Sequence, residues 1–348
     1  SIATGGAPRY GYVFEGGTYG SMKAIAELLR KGHNLVAATQ PFTVGGRQFD
    51  RGAVLARIER NNERLHDDIM SVRGLVQVTP LNSARVTAGP DFGEDPFVET
   101  RLPRIAMITD DPTDERSYGA SWFTLEQRLG LPFTAIKIEQ LLNADLTRYN
   151  VIVFPDGAAA SYQSMLGEHG IARLRRWAQD GGSLVLIKGA AAFATRKGVE
   201  WTSAMLKRTE QPVQSFLDEK PAEKPMMRET DLPRVPGAIL RVKLDPQHWL
   251  AYGSGAETAA TISGSYAFTP GRTARIAGGY PDAKTVKLAG FMWPESAPAL
   301  ERTAYVWVER EGRGQIVLFA DDPNFRATQL STLRLFFNAV VLGPTFAR

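Results

Sequence analysis

A run of five residues with small or apolar side chains, Ser183 to Ile187, leads directly into Lys188-Gly189-Ala190-Ala191-Ala192. Such a run, bounded by the Gly181-Gly182 pair and by small residues, reads as a buried central strand ending in a sharp turn into a helix. Turns of this kind need small residues so that one side chain can stand clear above the sheet, and in hydrolases that side chain is Ser or Cys. Here Gly189 and Ala190 occupy the expected elbow, and the chain contains no Cys. The turn is therefore expected to be a vestigial nucleophile elbow without catalytic residues.

The surrounding pattern supports a parallel sheet. From Arg104 onward, apolar strands and amphipathic helices alternate: strands over 105–109, 133–136, 151–154 and 184–187, and helices over 120–129 and 171–179. That alternation predicts an α/β fold with an open, mainly parallel sheet covered on both faces. A smaller α/β unit is expected over residues 1–100, with a strand at 10–14, a helix at 21–31, a strand at 34–39 and a hairpin over 42–57 turning at Gly45-Gly46. Residues 91–101 read as a linker to the larger domain, 101–348. Within that domain, about 207–236 is rich in Lys, Glu and Pro and reads as an exposed excursion. Short β segments and a final helix over 324–342 follow it as a β-rich C-terminal elaboration, and the apolar strand 315–319 is expected to return to the main sheet.

Charge and composition exclude some function classes. The net charge is +4 and is spread along the chain, so the clustered basic footprint of a nucleic-acid binder is missing. No apolar stretch approaches the length of a membrane span. The absence of Cys removes disulfides and thiolate metal sites. A chain opening Ser1-Ile2-Ala3 is expected to be a processed or excised piece of a longer protein.

Residues 103–192 resemble the class I glutamine amidotransferase-like (flavodoxin-like) superfold. Several runs also resemble the C-terminal region of bacterial zinc metallocarboxypeptidases of the carboxypeptidase A class: 37–54, Val153-Phe154-Pro155-Asp156-Gly157, 245–253, 312–319, Asp322-Pro323-Asn324-Phe325-Arg326 and 338–344. This resemblance implies a non-catalytic accessory region that partners an upstream peptidase domain in a periplasmic or secreted protein. Zinc would then be expected only in that missing domain, and no cofactor in this chain. Three residues after the four histidines stand Val36, Ile69, Ala172 and Ala251, so the His-x-x-Glu zinc motif is not here. The amidotransferase triad fails as well, because Ala320-Asp321-Asp322 stands where its His would follow the last strand.

Ligands of open parallel sheets bind beyond the carboxyl ends of the strands. Those ends carry Asp110, Asp111, Asp156, Asp321 and Asp322, with Arg326 close behind. They form a candidate ligand crevice for a carbohydrate, a peptide, or a divalent cation such as Ca²⁺ or Mg²⁺. The simpler alternative is that each Asp caps the turn or helix after its strand. Three further features have structural and functional readings side by side. Gly16-Gly17-Thr18-Tyr19-Gly20 is either a tight turn or a phosphate cradle. His248-Trp249 is either core packing or a stacking platform. Ser161 and Ser164, after Asp156, are the nearest candidates for an unrecognised hydrolase.

Overall fold

The computed structural model describes residues 7–92, 95–212, 227–232 and 234–347. Five strands of its large sheet run parallel: Phe133–Ile136, Ile105–Ile108, Val151–Phe154, Ser183–Ile187 and Gly314–Phe319, in that spatial order. Numbered along the chain, the order is 2-1-3-4-5, the flavodoxin-like arrangement, with its switch point between Ile105–Ile108 and Val151–Phe154. The α/β class and the parallel core thus follow from the strand and helix alternation. The strand Gly314–Phe319 does return to the main sheet, beside Ser183–Ile187. Every residue of Val151–Phe154 and Ser183–Ile187 is buried, as continuous apolar strands covered on both faces must be.

The sheet does not end with the parallel core. Ala304–Glu311 forms a hairpin with Gly314–Phe319, and Arg275–Gly279, Gly237–Leu244 and Glu257–Ile262 continue outward in antiparallel pairing. The β segments after the excursion therefore extend the same sheet, making it mixed over its full width. Of the expected excursion over 207–236, the described part is a two-stranded ribbon, Arg208–Pro212 with Met227–Asp231; the stretch 213–226 lies outside the described residues, as does the Ser1-Ile2-Ala3 opening.

Residues before 101 build a separate five-stranded sheet that is antiparallel throughout. Phe97–Thr100, expected as linker, is instead its edge strand on Leu35–Ala38. Phe97 closes an aromatic cluster with Phe42 and Phe92, so apolar burial outweighs the turn-forming residues around it.

One hydrophobic core runs through both sheets, from Tyr12 and Phe14 to Phe336 and Val340. The helix Leu330–Val341 lies at the seam, and all its residues from Thr332 onward are buried, as in a helix apolar on every side. Its single charge, Arg334, donates from Nε to the Tyr252 carbonyl at 3.1 Å. Asn338 Nδ2 reaches the Leu250 and Tyr252 carbonyls at 2.9 Å each. Burial alone pulls the Arg334 pKa down to about 9. The Gly16-Gly17 loop closes the seam from the other side: a Cβ on Gly17 would lie 3.2 Å from the Gly253 carbonyl oxygen, and one on Gly16 would lie 1.9 Å from that of Gly52. The loop is packed backbone, with Thr18 and Ser21 forming a capping box at the start of Tyr19–Arg30, and it leaves no phosphate cradle.

Candidate functional site

Beyond the carboxyl ends of the parallel strands lies a cavity of about 440 Å³. Its floor is set by the turn after Ser183–Ile187. The residue standing at that elbow is Lys188, with φ 53° and ψ −104°, and the helix Gly189–Ala194 follows it. The expectation of an elbow at Gly189 and Ala190 is therefore displaced by one position: those two residues are fully buried parts of the following helix. Gly189 is there because a Cβ would lie 1.9 Å from the Gly157 carbonyl oxygen. A backbone conformation like that of Lys188 costs about 1–3 kcal/mol and persists where surrounding structure enforces it, often at functional positions.

The Lys188 ammonium reaches into an acidic floor. Nζ lies 3.2 Å from Asp156 Oδ2 and 3.7 Å from Asp321 Oδ1. Its side chain is 15% exposed, against 3% for Asp321. Desolvation draws the Lys188 pKa down, but attraction to Asp321, Asp156 and Asp322 outweighs it and the pKa is raised overall. The amine is therefore held as an ammonium ion at neutral pH.

The carboxylates keep their positions through backbone donors. The Gly189 N–H donates to Asp156 Oδ1 at 2.9 Å. Asp321 accepts from Ser263 N–H and Asp322 N–H at 2.8 Å each, and Asp322 Oδ1 accepts from Asn324 N–H at 2.8 Å. Burial raises the pKa of both Asp321 and Asp322, the latter to about 7, with the Ser117 hydroxyl and the Asn324 amide opposing the shift at Asp322. The capping geometry does not take these aspartates out of the strand-end region: they accept from backbone amides and also lie against Lys188 or the cavity.

The candidate residues do not all converge. Asp156, Asp322 and Arg326 line the cavity, while Asp321 lies just behind them on Lys188. Asp110 turns away into an exposed ion pair with Lys137 at 2.7 Å, and Asp111, followed by a cis bond to Pro112, is also exposed and off the cavity. The position expected for them is taken by Asp114, which lines the cavity and caps the helix Glu115–Trp122 through the Arg116 and Ser117 amides. Ser161 and Ser164 sit on the helix Ala159–Gln179, away from the cavity lining. His248 and Trp249 are packing residues: His248 Nδ1 accepts from Leu250 N–H at 3.2 Å, and Trp249 stacks on Phe346 at 5.3 Å.

Several lining residues carry no signal at the strand ends in the sequence. Arg116 comes from the first turn of Glu115–Trp122, and Arg234 from the approach to Gly237–Leu244. Ser263, Ser265 and Tyr266 follow the outer strand Glu257–Ile262. Arg234, Ser263, Ser265 and Tyr266 are brought to the cavity by the folding of the antiparallel extension over the parallel core, and Arg116 by the helix capped at Asp114.

The arrangement does not resemble an acyl-transfer centre. The N–H after the elbow residue, which would supply an oxyanion hole, is committed to Asp156. The elbow residue itself is a protonated amine, which has no free lone pair for attack.

No family model matches the chain, and no curated protein matches it. The solved structures similar to it include a ThuA-like protein from Parabacteroides merdae, at 13% identity and a TM-score of 0.48, with 70% of this chain and 91% of that one covered. Another is a GMP synthase chain from Thermoplasma acidophilum, at 11% identity and 0.42, covering 68% and 92%. A third is a glutamine amidotransferase from Thermotoga maritima, at 9% identity and 0.38, covering 64% and 77%. These findings overturn the expected kinship with zinc metallocarboxypeptidases: the similar structures include ThuA-like and amidotransferase-like chains, and no family or curated match supports a carboxypeptidase region. Among the described residues no helix is long and apolar enough to cross a membrane.

Proposed function

We propose that this chain is a binding module whose strand-end cavity takes a carbohydrate. The observation that carries the reading is Lys188, held in a strained elbow with its ammonium group at the cavity floor between carboxylates. A sugar hydroxyl donates and accepts hydrogen bonds at once, so it needs both kinds of partner within a few ångströms. The cavity interleaves them: Lys188 and the serine hydroxyls of Ser263 and Ser265 as donors, Asp114, Asp156 and Asp322 as acceptors. Tyr266 and Phe325 contribute ring surface to the same walls, which suits the apolar face of a pyranose.

A divalent cation is less well supported as the ligand. Oxygen clusters bind hard cations when their charge is unmatched, and here the Lys188 ammonium already stands among the carboxylates. The same protonated state argues for binding over covalent catalysis.

The test is binding of labelled protein to immobilised oligosaccharides, repeated with Asp156→Asn and Asp110→Asn. Asp156→Asn keeps the acceptor for the Gly189 amide and removes the negative charge beside Lys188, and it is expected to weaken binding by about tenfold or more. Asp110→Asn, at the exposed pair outside the cavity, is expected to leave binding unchanged. Absence of binding to every oligosaccharide, or full retention in Asp156→Asn, would overturn the reading.

A further inference from the structure

The charges of this cavity are segregated by depth. On the floor, Lys188 is matched by Asp156 and Asp321. At the rim stand three exposed arginines from three separate parts of the chain, Arg116, Arg234 and Arg326. Arg234 Nε donates to the Ser263 carbonyl at 3.1 Å, and the Arg326 guanidinium lies over the Phe325 ring at 5.3 Å. Among the described residues, none of the three forms an ion pair with a carboxylate. Asp114, the exposed acid of the lining, accepts at Oδ1 from the Arg116 and Ser117 amides as a helix cap.

Surface arginines ordinarily find carboxylate partners or spread apart, because like charges repel. At the exposed level of the cavity these three guanidinium groups outnumber the one exposed carboxylate of the lining, Asp114, so positive charge is what an entering ligand meets first. Guanidinium groups present planar arrays of N–H donors that match carboxylate and phosphate oxygens two at a time. We infer that the carbohydrate taken by this cavity is an acidic one, whose anionic group is received by Arg116, Arg234 and Arg326 while its hydroxyls meet the Lys188 and aspartate floor. The inference rests on the carbohydrate reading and narrows it to the ligand class. The chemistry shared by its sources is an oxyanion on a sugar ring, as in a uronic acid or a sugar phosphate.

The array that tests carbohydrate binding separates the two claims if it displays neutral oligosaccharides, uronate-containing oligosaccharides and phosphorylated sugars together. The expected result is at least about tenfold stronger binding to an acidic class than to neutral sugars, reduced in Arg116→Gln/Arg326→Gln and abolished when Arg234→Gln is added. Preference within the acidic spots identifies the source, uronate or phosphate. Raising the salt from low to about 0.5 M is expected to erode the acidic preference, since rim charges are screened.

Equal binding of neutral and acidic sugars would overturn the inference and leave the carbohydrate reading standing. Acidic preference that survives in the arginine variants would overturn it as well, since the anion would then be held elsewhere. Binding to no sugar would remove both. The three arginines are exposed, so a variant that still unfolds at the wild-type urea midpoint reports on binding and not on folding.

Discussion

Among the described residues, the buried Arg334 and the largely buried Lys188 are two cations handled in opposite ways. Lys188 stands on the cavity floor with Asp156 and Asp321 within 3.2 and 3.7 Å, and its pKa is raised. Arg334 stands in the seam between the sheets with a backbone carbonyl as its acceptor, and its pKa falls to about 9. Arg334 Nη1 has no hydrogen-bond partner among the described residues. The contrast separates a charge that the fold has been arranged to hold from one it merely tolerates. Around Lys188 the fold gathers the half-buried Asp156 and two buried carboxylates, Asp321 and Asp322, both with raised pKa values. Hydrophobic packing would not create such a cluster, whereas a site that must present an ammonium ion to a ligand would.

The largest expected effect comes from removing the matched cation. Lys188→Met leaves Asp156, Asp321 and Asp322 facing one another without a counter-charge, and breaking a buried pair on one side costs about 3–5 kcal/mol. Urea unfolding at pH 7.5 is expected to show a loss in that range. The loss should shrink as the pH falls, because protonated aspartates need no cation. A loss below about 1 kcal/mol would mean that the floor is wet enough to screen its charges, and the contrast with Arg334 would collapse.

A smaller effect isolates one carboxyl of the cluster. Burial raises the Asp322 pKa to about 7, with further upward pressure from Asp321 and Asp156. A carboxyl whose folded pKa lies above its unfolded value stabilises the fold fully below the unfolded pKa. It loses that contribution as the pH rises through the folded one. Between about pH 4 and pH 7, wild-type stability should therefore fall by something on the order of 3 kcal/mol from this group. Asp322→Asn keeps the acceptor for the Asn324 amide and carries no titrating proton. Its stability across the same window is expected to be flatter than the wild-type curve, read from urea midpoints at four or five pH values. Parallel curves for the two proteins would place the titrating carboxyl elsewhere on the floor, with Asp321 as the next to substitute.

Much of the fold was legible in the sequence because it is local. Continuous apolar strands such as Val151–Phe154 and Ser183–Ile187 announce a parallel sheet, and their order follows once the helices between them are seen. The site was legible where it hangs on those strands, at Asp156, Asp321 and Asp322, and at Arg326 just beyond the last of them. Lys188 was readable in principle: it is the first residue after five buried ones, and the small residues that follow it make room for its side chain. Reading Gly189 and Ala190 as the elbow missed that the small residues serve the exposed one. Arg116 and Arg234 were not readable, because their places are set by a helix cap at Asp114 and by an antiparallel extension folded over the sheet. No local pattern encodes a juxtaposition between residues more than a hundred positions apart.

The smallest effect tests the other half of the contrast. Arg334→Met removes a buried charge that no described carboxylate matches, and the Tyr252 carbonyl it served still accepts from Asn338 Nδ2 at 2.9 Å. The stem of Met refills much of the space, so replacing the charge with an apolar side chain is expected to stabilise the protein by about 1 kcal/mol at pH 7. Because burial pulls the Arg334 pKa down to about 9, a base below its unfolded value, its penalty is present at neutral pH and fades as the pH rises past 9. The advantage of the variant should therefore disappear by about pH 10. A substantial loss of stability in Arg334→Met would instead mean that the arginine is the clamp of the seam, joining the Tyr252 loop to the helix Leu330–Val341. Both buried cations would then be arranged for, and only the direction of their pKa shifts would distinguish the one that faces a ligand from the one that holds two sheets together.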